Sequence, residues 1–145
     1  MDIDICKFPA VLRDALNAGN CKFPTQTEID YEPFEAYRGV KITHKKVQID
    51  RSDFQSQIEK GITDDCTDLG NFSCSVFTDV KELRICLNLP RKNKRIAKGQ
   101  IRCGNGPCIR DSSCSHVHWF LYESADPSCD FLLIDEDEEI SNGEN

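Results

Sequence analysis

Residues 103–129 gather the side chains best able to do chemistry: Cys103, Cys108, Cys114 and Cys129, with His116, His118 and Trp119 among them. Four chemistries suit such a set. Cys103, Cys108 and Cys114 with His116 or His118 supply the thiolates and imidazole that satisfy a tetrahedral zinc ion. The chain contains no C-x2-C pair, however, and this site would leave six cysteines unused. His116 and His118 share a face if residues 115–123 form a strand, and two such imidazoles can serve as acid and base in RNA cleavage. His44 is a possible cross-strand partner for either. The plainer reading is a pair of half-buried sheet histidines. A thiol activated by a neighbouring histidine is a nucleophile, provided that the thiol is free. The fourth chemistry is cross-linking. Cys6, Cys21, Cys66, Cys74, Cys86, Cys103, Cys108, Cys114 and Cys129 span the whole chain, which suits a disulfide framework better than one metal knuckle. Nine is odd, so at least one has no partner within the chain.

The elements that must position these residues read as follows. Pro9, the apolar stripe Val11, Leu12, Ala15 and Leu16, and Gly19 predict a helix over residues 8–18. Cys6 and Cys21 flank it too far apart to bond to one another, since ten helical residues span about 15 Å. Residues 22–35, with Pro24 and Pro33, read as a loop. Alternation predicts a strand over 40–49, with a phase slip that marks a bulge or turn near Lys45. Ser52 reads as the N-cap of a two-turn helix ending at Gly61. Residues 73–78 and 81–89 predict a hairpin, its second arm carried by Leu83, Ile85, Leu87 and Leu89. Short strands are expected over 100–103 and 129–134, and a strand covered on both faces over 115–123. The sum is an α+β domain, residues 1–134, with an antiparallel sheet of four to six strands and two short helices, stapled by about four disulfides. Residues 135–145 read as an acidic disordered tail.

Charge narrows the partners. The net charge is −7, and Asp135, Glu136, Asp137, Glu138, Glu139 and Glu144 lie in the tail, so the body is close to neutral. Within it, Arg91, Lys92, Lys94, Arg95, Lys98 and Arg102 crowd into twelve residues. No aromatic residue interleaves them, so base stacking is not indicated and nucleic acid is not the favoured partner. Their plainer reading is a solvated loop. They and the loop 103–114 are the candidate contact surfaces, with Phe34, Tyr37 and Arg38 as a further patch. No run approaches the ~20 apolar residues of a membrane span. The first ten residues lack a signal's basic and apolar regions, and the cysteine usage favours a secreted chain read after its signal. Asn71-Phe72-Ser73 is a glycosylation sequon, with Asn71 as acceptor.

The start at Asp2, Cys6 close behind it, a helix followed by strands, and the late segment CSHVHWFLYESADPSC resemble the small secreted cysteine-rich effectors of plant-pathogenic fungi. Within that group the pattern is similar to the avirulence-and-suppression (LARS) structural family. The resemblance implies a monomer without enzymatic activity or cofactor. It implies a virulence or avirulence role, exercised by binding a host protein and read by an immune receptor. The rival readings are a small secreted RNase-like enzyme using His116 and His118, and an intracellular zinc-binding interaction module.

Overall fold

A computed structural model describes residues 3–134; the acidic tail and the start at Asp2 lie outside the described residues. Six strands form one antiparallel sheet: β1 Phe34–Lys41, β2 Cys74–Phe77, β3 Lys94–Ile101, β4 Cys108–Arg110, β5 His116–Trp119 and β6 Phe131–Leu133. Their spatial order is β4-β5-β2-β1-β3-β6. With helices α1 Ala10–Asn17 and α2 Val80–Cys86, this is the expected α+β class.

Alternation along the strands gives the sheet two apolar faces. Ala36, Val40, Cys74, Val76, Ala97, Ile101, Cys108, Val117, Trp119 and Phe131 fill one face, under Tyr31, Phe54 and Leu121 from the connecting segments. The opposite face is covered twice. α1 brings Leu12 and Ala15 onto Phe8, Phe72 and Phe120. α2 brings Val80 and Leu83 onto Tyr37 and Ile96. Both helices therefore lie on the histidine side of the sheet and leave a gap between them.

Residues 81–89, expected as a strand, are mostly helix. Asp79 caps the helix by accepting from the Lys81 N–H at 2.9 Å, and Glu82 stands in the first turn. Val80 and Leu83 are buried one turn apart, and Leu87 packs beside them. Ile85 is left 80% exposed. Leucines two apart satisfy a strand, but three- and four-residue spacings in the same run satisfy a helix. The cap and the landing site on Tyr37 and Ile96 decide between them.

The basic run corrects a second expectation. It is not a loop: residues 94–101 form β3, paired along all of β1 from Phe34↔Ile101 to Lys41↔Lys94. On β3, Ala97, Gly99 and Ile101 belong to the core face and Ile96 to the α2 side, and all four are buried. Lys94, Arg95 and Lys98 hide the strand signal, because their aliphatic stems cover apolar surface while the charge stays in water. Gly99 is required where β6 crosses, since a Cβ there would stand 2.5 Å from the Phe131 ring and from the Asp130 carbonyl.

Smaller shifts have local causes. β1 starts and ends earlier than expected, because Thr43 N–H donates to the Lys46 carbonyl at 2.8 Å and turns the chain. The phase slip at Lys45 marked that turn. Asp50, not Ser52, caps the next segment, and only the four-residue 3₁₀ turn Arg51–Phe54 follows. Gly106 has φ +145° and lies against the Phe120 carbonyl, where a Cβ would come within 2.0 Å. Gly106→Ala is expected to cost about 2 kcal/mol or more in urea unfolding. Gly104→Ala, with open space around it, should shift stability by under about 1 kcal/mol.

Candidate functional site

β5 places His116 and His118 on one face and Val117 and Trp119 on the other. In register, Phe77 stands opposite His116, while Ser75 and Ile109 flank His118 from β2 and β4. The pair looks into a cleft of about 640 Å³ between the two helix-covered regions, walled by Lys22, Gln57, Asp68, Asn71 and Phe120. The two imidazoles meet edge to face, with centroids 4.4 Å apart, and Phe77 packs on His116 at 5.0 Å.

His118 is fixed by a short relay. Ser73 Oγ donates to the Gly70 carbonyl at 2.9 Å and lies 2.7 Å from His118 Nδ1. A hydroxyl has one proton, so Ser73 oxygen accepts from Nδ1–H and leaves Nε2 as the unprotonated nitrogen. Burial holds both histidines below their ordinary value of 6.5, and His118 adds repulsion at His116. Asp111 pulls both upward and Asp68 pulls His118 upward, but burial outweighs them. The pair is neutral at pH 7. Nε2 of His118 can accept a proton, but rings in edge contact leave no room between them for a phosphoryl group.

The zinc set is not assembled. Cys108 pairs in register with Trp119 and shares its face, whereas His116 and His118 point to the other side of the sheet. Among the described residues no group of three or more His, Cys, Asp or Glu stands where a metal could be held. His44 sits in the turn after β1 and is no cross-strand partner of the pair.

The cysteines overturn the staple expectation. All nine are free thiols: Cys6, Cys86, Cys114 and Cys129 are exposed, Cys21, Cys66 and Cys103 half-buried, Cys74 and Cys108 buried. The two buried ones show the geometric reason. Both stand opposite Trp119, on β2 and on β4. That sets them two strand spacings apart, roughly 9–10 Å, where a disulfide needs Cα atoms about 4.4–6.8 Å apart. Burial, with Glu28 nearby, pushes the Cys108 thiol up to about 11 and leaves it unreactive at neutral pH. Cys21 and Cys66 join the cluster under α1, and burial and their mutual repulsion push Cys21 up.

The remaining candidates are dispersed. Lys94, Arg95 and Lys98 lie on β3, Arg91 and Lys92 precede it, and Arg102 follows it, paired with Asp130 at 3.0 Å. Lys98 is 3.8 Å from Glu35. The 103–114 segment contains β4 and is partly core, with Arg110 paired to Glu28 at 2.9 Å and stacked on Phe34. Tyr37 and Arg38 are buried, not a contact patch. Asn71 donates its amide to the Asp65 carbonyl at 3.1 Å, and Ser73 of the same sequon is buried in the histidine relay. Sequence reasoning missed Ser73 as a histidine partner and Lys41, Lys46, Asp53 and Lys60 as a cluster. The Ser73–His118 bond joins residues 45 positions apart, and only the β2–β5 register brings them together.

The chain matches no family model, no curated protein and no solved structure. Among the described residues no helix is long and apolar enough to cross a membrane.

Two outcomes follow. Alkylation without reductant should label Cys6, Cys86, Cys114 and Cys129 at once, and Cys74 and Cys108 only in urea; mass spectrometry of the digest reads both. Because the histidines' folded values lie below 6.5, the unfolded chain binds more protons as pH falls past that point. Stability should therefore drop on acidification below 6.5 until the folded histidines also protonate. The double variant His116→Gln/His118→Gln should flatten that part of the urea-midpoint profile.

Proposed function

We propose that this chain is a secreted effector of the cysteine-rich class, a monomer that acts by contact with a host protein rather than by catalysis. The observation that carries this reading is Leu132. It is 74% exposed on the edge strand β6 and stands opposite Lys98 in register. An apolar anchor beside cations held on a rigid strand suits a protein surface with acidic groups around an apolar pocket. Rigid placement also lowers the ordering cost of binding. Lys98, with the exposed Lys92 and Arg102 at the ends of the same segment, would steer that encounter.

The free thiols add a compartment. Nine unpaired cysteines are at home in a reducing interior, which favours a place of action inside the host cell after secretion. Recognition by an immune receptor is part of the same proposal and would use the same exposed face. Histidine-based RNA cleavage is the second reading. It is supported by the unprotonated Nε2 of His118 in its cleft, and weakened by the 4.4 Å contact between the rings.

The test is capture of a partner from plant extract by cross-linking, with affinity then measured on the purified pair. Leu132→Asp and Lys98→Glu should each weaken binding by at least about tenfold, while His118→Ala should leave it unchanged. Unaltered affinity in both surface variants sinks the reading. So does RNA cleavage by the purified protein that His118→Ala abolishes.

A further inference from the structure

β1 and β2 share one ladder pair, Tyr37 opposite Phe77. Past it the strands separate and the 3₁₀ turn Arg51–Phe54 enters beside β1, with Lys41 N–H donating to Asp53 Oδ1 at 3.0 Å. A cleft of about 650 Å³ opens there, walled by Lys41, Lys45, Lys46, Lys60 and Lys94 and by one carboxylate, Asp53.

That carboxylate is already committed. Besides the Lys41 amide it accepts from Lys46 Nζ at 2.6 Å and from the Asp50 N–H at 3.0 Å. Lys41, Lys45, Lys60 and Lys94 have no ion pair among the described residues. The buried Arg38 nearby spends its donors on the carbonyls of Asp53, Ser75 and Gln55, so its charge also meets no carboxylate. Five lysines and one carboxylate thus line this partly enclosed space, on a chain whose net charge is −7.

We propose that this cleft binds a small ligand carrying two or more phosphate groups. Lysines act on phosphate as point charges, and the surplus of about four needs more than a single carboxylate to balance it. Thr43 accepts from the amides of Lys45 and Lys46, so its own O–H remains to donate to a phosphate oxygen. The lining holds no aromatic ring on which a base could stack, which argues against single-stranded nucleic acid. Burial and the neighbouring cations hold Lys60 and Lys94 below the ordinary lysine value, a strain that a bound polyanion would relieve. The site is separate from the Leu132 face: Lys94 belongs to the cleft, Lys98 does not.

Clustered phosphates reach a protein either free in solution or on the headgroup of a phosphorylated inositol lipid. Calorimetry with tripolyphosphate, at about 0.15 M salt, tests the first source. Co-sedimentation with phosphatidylcholine vesicles containing such a lipid tests the second. Binding in either arm is expected, and the arm that binds more tightly names the source. Lys60→Met/Lys94→Met should weaken it by at least about tenfold, with no loss of stability in urea. Lys98→Met, off the cleft, should leave it unchanged. No binding in either arm overturns the proposal. So does equal loss in Lys98→Met, an undiminished affinity in the double variant, or binding of single-stranded RNA alone.

Discussion

The packing of this protein depends on a buried cation that has no carboxylate of its own among the described residues. Arg38 sits on β1, 7% exposed, and donates through Nε to the Asp53 carbonyl at 2.6 Å and through one terminal nitrogen to the Ser75 carbonyl at 2.6 Å. Its other terminal nitrogen lies 3.4 Å from the Gln55 carbonyl. Desolvating a guanidinium is costly unless its donors are filled. Here backbone carbonyls fill them, and each bond ties a segment to β1. The ladder between β1 and β2 lasts for one pair, so Arg38 does what further ladder bonds would do. It holds the 51–55 segment against the sheet, seats Phe54 in the core, and brings Asp53 and the lysines around it to one place.

A second constraint is the division of β5. Val117 and Trp119 belong to the core, with Trp119 between two buried thiols, while His116 and His118 face a cleft that neither helix covers. The same alternation that creates the histidine pair removes the zinc set by sending Cys108 to the opposite face. Among the described residues, free thiols and histidines therefore coexist without forming a nucleophile–base or metal centre. What the surface offers instead is fixed charge: lysines held on β1, β3 and the intervening turns, with Leu132 as an exposed apolar point.

Much of this was legible in the sequence. The α+β class, α1 with Gly19 at its end, β2, β5 and β6, and the shared face of His116 and His118 follow from period and punctuation. The failures are instructive. Residues 80–86 satisfy both periods, and a capping aspartate outweighed the alternation of leucines. β3 was hidden because Lys94, Arg95 and Lys98 interrupt its buried positions, which include Ala97 and Gly99, residues that carry little β signal. The lysine cleft was illegible because it joins residues 41–46, 60 and 94 through a clamp that no local pattern announces. The cysteines misled for a different reason: their number suggests staples, but bonding is a matter of Cα distance, which spacing along the chain does not set.

The central claim is that this protein works through its strand-borne surface and not through the histidine cleft. A lysine acylation footprint, comparing free protein with protein recovered on whatever partner is captured from plant extract, tests it most directly. The account predicts that Lys98 and Lys92 lose reactivity in the complex while Lys22, on the wall of the histidine cleft, keeps its own. Protection of Lys22 with Lys98 and Lys92 unchanged would contradict it and move the function to His116 and His118.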